Sequence, residues 1–187
     1  VRAKYSFPKT ARIAVTSGRF VEQKGHRYLL EAMAILKERA ADLRFLWLGS
    51  GPLEKSLRQH ADHLGVTSKI VFAGMLDSVE RELAGADFMI HPSVEEPFGI
   101  AVLEGMRAGL PIIASRVGGI PEVVDEQCAL LVPARNPNAI ADAILAVASD
   151  VERCRRMSED ARNRFVKYFQ VDRMCDQVEE CFARLVK

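Results

Sequence analysis

Six short apolar runs separated by longer amphipathic ones limit this chain more than any other feature of its 187 residues. The runs cover residues 12–18, 43–49, 69–74, 86–91, 111–115 and 129–133. Each is nearly continuous in apolar character and partly β-branched or aromatic, as in "RIAVTSG" and "LRFLWLG". A strand with one wet face alternates polar and apolar residues, whereas a parallel strand covered on both faces does not. Several runs end in Gly, Ser or Pro, which punctuate the turn into the next element.

The stretches between them have helical spacing. Leu29, Met33, Leu36 and Ala40 form one stripe over 26–40, and Leu53, Leu57, Ala61 and Leu64 another over 52–65, with Gly65 as its stop. Asn136 caps a third, in which Ile140, Ile144 and Val147 share a face. Six β-α steps with right-handed crossovers predict an α/β fold: a Rossmann-like parallel sheet of about six strands with helices on both faces. Residues 1–11 lack periodicity and read as a linker, 12–170 as the Rossmann-like domain, and 171–187 as a C-terminal helix.

Composition narrows the partners. Apolar residues are 49% and the net charge is +1 with both signs interspersed, so no nucleic-acid surface is indicated. No run of eighteen apolar residues suggests a membrane span. Cys128, Cys154, Cys175 and Cys181 show no Cys-x-x-Cys pair, which favours buried or half-buried free thiols in a reducing, cytoplasmic compartment.

Open parallel sheets bind ligands beyond the carboxyl ends of their strands, so the turns after each strand carry the functional question. The first is "SGRFVEQKGH", where Gly18 permits a tight turn and Arg19 and Lys24 precede a helix starting near Gly25 or His26. A guanidinium, an ammonium and a helix N-terminus suit a diphosphate; taken alone, solvated loop charges suit the residues equally well. The second, "LGSGP", places Gly49 and Gly51 in a turn, but Glu54 prevents completion of a dinucleotide fingerprint, and a tight turn alone is the better reading. In "HPSVEEPFGIAVLEGM", Pro97 fits the first turn of a helix, Glu96 stands just before it, and Phe98, Gly99 and Ile100 offer free amides. Glu104 follows two turns later, roughly 10–12 Å along the axis, a separation for two ends of a ligand rather than one metal. The plain alternatives are a helix-dipole partner at Glu96 and an ordinary surface glutamate at Glu104. After the fifth strand, Gly118 and Gly119 allow close approach of a ligand or simply a turn. His60 and His63 have no third metal ligand in prospect and read as a helix face. No metal site and no cofactor is expected. No Asp-x-Asp, P-loop, Gly-x-Ser-x-Gly or His-Glu-x-x-His occurs, so hydrolase and NTPase readings lose ground.

In combination, "GRFVEQKG", "LGSGP", "EPFGIAVLE" and "GLPIIASRVGGIPEVV" resemble the C-terminal domain of retaining group 1 (family four) glycosyltransferases with the GT-B fold, from about Arg12 to about Arg164. Two glutamates separated by seven residues are the family hallmark, and Glu96 and Glu104 match it. The resemblance implies a nucleoside-diphosphate sugar as donor, with Arg19 and Lys24 on the diphosphate in place of a metal. It gives Glu104 to the ribose, Glu96 to hydroxyls of the transferred sugar, and the amides of Phe98, Gly99 and Ile100 to sugar and phosphate. Gly18, Gly49 and Gly51 would border base or phosphate, and Gly118 and Gly119 would flank the pocket. It also implies an N-terminal domain of the same protein that contacts the acceptor, a lipid or glycan, with a peripheral membrane position allowed. The expectation is a donor-binding half, inactive in transfer by itself. A nucleotide-sugar epimerase of the same fold and a non-catalytic nucleotide-binding domain are the rivals.

Overall fold

The computed structural model describes residues 1–185. Its centre is one six-stranded sheet, all parallel, in the order β3-β2-β1-β4-β5-β6. The strands are β1 (Arg12–Ser17), β2 (Leu43–Leu48), β3 (Ile70–Gly74), β4 (Phe88–His91), β5 (Ile112–Ser115) and β6 (Ala129–Val132). The helices are α1 (His26–Leu36), α2 (Glu54–Leu64), α3 (Glu80–Ala84), α4 (Ile100–Arg107), α5 (Ile120–Val123), α6 (Pro137–Ala148), α7 (Val151–Tyr168) and α8 (Val171–Leu185).

The continuous apolar runs have the cause the sequence suggests: both sheet faces are buried. Ala14, Phe45, Trp47, Phe88, Ile90 and Ile113 face α1, α2 and α6 with Leu29, Leu57 and Ile144. Their alternates Ile13, Val15, Leu46, Met89, Ile112 and Ala114 face the opposite layer, packing with Leu83, Val102, Met106, Ile120 and Ala161. Period two along each strand therefore serves two cores at once. Asn136 caps α6 by accepting from the Ala139 amide at 3.0 Å, and Gly65 ends α2 in the left-handed conformation. The first helix is shorter than its stripe: it stops at Leu36, leaving Ala40 in the loop.

Residues 1–11, expected as a linker, lie bound to the domain. Arg2 pairs with Asp87 at 2.8 Å and also donates to the Ala11 carbonyl at 3.0 Å. Lys4 Nζ lies 2.5 Å and Tyr5 Oη 3.1 Å from Glu82 Oε1, a carboxylate that is buried on α3. The tail forms two helices. Of these α8 is exposed throughout its described length, and the last two positions of the expected C-terminal helix lie outside the described residues. Cys128 is buried and Cys154 half-buried as expected, but Cys175 and Cys181 are exposed, as is α8 throughout its described length. No helix among the described residues is long and apolar enough to cross a membrane.

Lys4→Met combined with Tyr5→Phe keeps the cover over Glu82 but removes both donors. Stability from urea unfolding should fall, because a buried carboxylate loses both of its side-chain donors and keeps its desolvation cost. Glu82→Leu in that background should recover most of the loss.

Candidate functional site

Strand order reverses at β1 and β4, so the turns following these two neighbours diverge to opposite sides and leave a crevice at the carboxyl edge of the sheet. The two turns are joined by their backbones: the Gln23 carbonyl accepts from the amides of Val94 (2.8 Å) and Glu95 (3.3 Å). They are joined by side chains as well. Lys24 Nζ lies 2.5 Å from Glu96 Oε2, with the lysine stem running along Gly18.

Glu96 is buried, and its Oε2 also lies 2.7 Å from His91 Nε2 and 3.4 Å from Ser93 Oγ. A carboxylate only accepts, so the His91 Nε2 carries the hydrogen. The hydrogen bond from His91 and the Lys24 ammonium outweigh burial and hold the Glu96 carboxyl down at about 2. Sequence reasoning singled out Lys24 and Glu96 but not His91 or Ser93. The signal was present in "HPS", where a polar ring ends an apolar strand and Pro92 fixes the exit.

Helix α4 begins at Ile100, not at Pro97. The Glu96 carbonyl, which the Ile100 amide would need for a helical turn there, accepts instead from the Gly119 amide at 3.1 Å, and Gly99 turns left-handed at φ 101°. The amides of Phe98, Gly99, Ile100 and Ala101 have no acceptor among the described residues. The side chains of Phe98 and Ile100 are exposed.

The glycines serve chain packing. A Cβ on Gly118, which has φ +48°, would lie 2.0 Å from the Glu96 carbonyl oxygen, and one on Gly119 2.5 Å from that of Pro97. A Cβ on Gly49 would stand 2.1 Å from the Gly18 carbonyl oxygen, and one on Gly51 2.5 Å from that of Phe20. These residues let adjoining turns touch, which places the carboxylate and the cations.

Arg19 is exposed and has no acidic partner among the described residues. With Gly18, Gly49, Gly51, Met75 and Leu76 it lines a cavity of about 760 Å³. Glu104 lines a neighbouring cavity of about 690 Å³ with Ser78 and Arg107, and both cavities share Leu76 and Val79. The Glu104 carboxyl is half-buried and raised by burial, with Arg107 opposing. The loop between β3 and α3 that completes this groove has no chemical signature in the sequence.

Behind Lys24, His26 packs edge-on against Phe20 with ring centroids 4.9 Å apart and lies 5.1 Å from Trp47. Burial, then the nearby His91 and Lys24, push its imidazole down to about 3. The ring is neutral near pH 7, so it adds no positive charge behind Lys24. His60 Nε2 stands 3.9 Å from Glu31 and His63 is exposed, apart from the crevice. Among the described residues no three His, Cys, Asp or Glu side chains gather as a metal-binding group.

The family described as glycosyl transferases group 1 matches residues 1–164. The chain belongs to that family. Similar group 1 relatives include a D-inositol 3-phosphate glycosyltransferase of Corynebacterium glutamicum, 36% identical over 86% of this chain and 40% of its own length. An uncharacterized glycosyltransferase of Methanocaldococcus jannaschii is 38% identical over 71% of this chain and 35% of its own. The structure of Anabaena HepE in complex with UDP superposes with a TM-score of 0.91 at 22% identity, covering 98% of this chain and 51% of that one. The sheet and its helices are thus those of a GT-B glycosyltransferase domain. The chain spans 35% and 40% of the length of these two curated relatives.

Two titrations should be separable in urea unfolding across pH. His26 has a folded value of about 3 below its ordinary 6.5, so its contribution is complete above pH 6.5 and declines as pH falls toward 3. Glu96, at about 2 against 4.5, contributes fully above pH 4.5 and declines as pH falls toward 2. His26→Phe should flatten the upper part of the curve and Glu96→Gln only the part below pH 4.5.

Proposed function

We propose that this chain is the donor-binding half of a retaining glycosyltransferase that transfers a sugar from a nucleoside-diphosphate sugar without a metal ion. The observation that carries this is the Lys24–Glu96 pair at the crevice where strand order reverses, beside unpaired amides and the cavity of Arg19. Anabaena HepE, which shares this domain fold, has been crystallised in complex with UDP, and this supports a nucleotide as ligand.

On this reading the nucleoside end occupies the groove with Glu104, whose carboxylate accepts from ribose hydroxyls. The diphosphate meets Arg19, the free amides before α4 and Lys24. An ammonium has three hydrogens, so Lys24 can keep Glu96 and still donate to a phosphate. Glu96 takes hydroxyls of the sugar. Cleavage of the anomeric C–O bond leaves the electron pair on the diphosphate, where fixed positive charge stabilises it in a site that reorganises little. Glu96 is assigned to donor positioning, because its ionised carboxylate is already bound at Oε2. Attack from the face of the leaving group, with the departing phosphate accepting the acceptor's proton, retains configuration. The acceptor contacts, a lipid or glycan specificity and a cytoplasmic or peripheral location belong to the remainder of the enzyme.

Isothermal calorimetry with UDP, GDP and ADP tests the donor site. One nucleotide should bind, with Arg19→Ala and Glu104→Ala each weakening it about tenfold or more, as expected for a charged hydrogen bond. Unchanged affinity in both variants places the site elsewhere. Epimerase chemistry in the whole protein would give an isomerised sugar nucleotide in place of a glycosylated acceptor.

A further inference from the structure

The two oxygens of the Glu96 carboxylate have unequal surroundings. Oε2 is close to Lys24 Nζ at 2.5 Å, His91 Nε2 at 2.7 Å and Ser93 Oγ at 3.4 Å, while Oε1 is bonded to nothing among the described residues. Nor is Oε1 among the sealed polar atoms that lack a partner, so the small exposure the side chain keeps, 8%, includes this oxygen. Every donor that the described residues supply is on one atom, and the open lone pairs are on the other.

The donors differ in their support. Lys24 reaches across from the turn after β1 on a flexible stem and remains one-quarter exposed. His91 is the last residue of β4, paired in register with Ala114 of β5, and it is 1% exposed. Ser93 is fully buried and its Oγ lies 3.0 Å from the same imidazole nitrogen. A lysine alone would fix the charge and leave the carboxylate free to rotate about its terminal bond. A second donor on a strand end removes that freedom.

We propose that His91, supported by Ser93, is a positioning residue for the transferred sugar: it locks Glu96 through Oε2 so that Oε1 alone accepts from the sugar hydroxyls. This rests on the reading of Glu96 as the sugar contact. His91 itself touches no substrate. Its removal acts only through the orientation of the carboxylate, so its effect appears where a sugar is attached and disappears where Glu96 is already altered. A glutamine at position 91 keeps an N–H donor near the imidazole Nε2 and should substitute in part, whereas leucine cannot donate.

The test compares UDP with UDP-glucose, and GDP with GDP-mannose, by calorimetry on the 187-residue chain. His91→Leu should raise the Kd of the sugar nucleotide about tenfold and that of the bare nucleotide less than twofold. Ser93→Ala should do the same to a smaller degree, and His91→Gln should restore most of the loss. In a Glu96→Gln background His91→Leu should add nothing. Nitrogen-15 spectra should also show a slowly exchanging His91 Nε2 proton that shifts upfield in Glu96→Leu; its absence in the parent chain overturns the proposed geometry whether or not a nucleotide binds. Equal weakening of both ligands, no weakening of either, or additivity with Glu96→Gln overturns the positioning role. Absence of binding by all four nucleotides removes the donor reading and this inference with it. Binding of both members of a pair with the sugar arm unmoved by His91→Leu removes this inference alone.

Discussion

Between Gly25 and Pro92, and again between Gly118 and Glu96, backbone meets backbone so closely that a Cβ would lie 2.0 Å from a carbonyl oxygen. No side chain fits at that distance. The turns after β1, β4 and β5 therefore behave as one body, reinforced by the bonds from Val94 and Glu95 to Gln23 and from Gly119 to Glu96. Everything chemical at the crevice hangs on this contact. Lys24 and Glu96 are 72 residues apart in the chain, and only the apposition of two turns brings the ammonium to 2.5 Å from the carboxylate.

A buried ion pair contributes little net stability by itself, because desolvation of both charges offsets most of their attraction. Glu96 survives burial through the number of its donors, and the result is an ionised acceptor fixed in one orientation. The neutral His26 belongs to the same balance. Its ring stands near both His91 and Lys24, and a charge there would repel the lysine; burial against Phe20 and Trp47 keeps it uncharged. The aromatic cluster thus links the packing of the β1–α1 turn to the electrostatics in front of it. Glu82 repeats the pattern on α3, where Lys4 and Tyr5 satisfy a buried carboxylate and tie down the first residues of the chain.

The sheet was legible because doubly covered strands leave continuous apolar runs, and all six runs became strands. The cap at Asn136 and the stop at Gly65 were legible because they are local. What escaped the sequence was non-local. The start of α4 moved three residues because the Glu96 carbonyl bonds to Gly119, 23 positions away, and no pattern around Pro97 encodes that. The glycines of "LGSGP" and "RVGGIP" signalled close approach correctly, yet what approaches them is another turn of the chain. His91 was read as the end of a strand because an imidazole in an apolar run has no period of its own; its role comes from Glu96 five residues on.

The charges around the crevice also explain why the helix end must stay open. Arg19 and Lys24 supply two positive charges, and Glu96, ionised at about 2, removes one. On the proposed reading a departing diphosphate faces a net side-chain charge of only one unit from these groups. The remaining compensation has to come from dipoles, and the unpaired amides of Phe98, Gly99, Ile100 and Ala101 are the ones available in the turn that carries Glu96. Had α4 begun at Pro97, the Ile100 and Ala101 amides would have been spent on helical bonds to Glu96 and Pro97. Delaying the helix by a left-handed Gly99 keeps those two hydrogens for a ligand, and the same displacement gives Gly119 the carbonyl that anchors the carboxylate's own backbone.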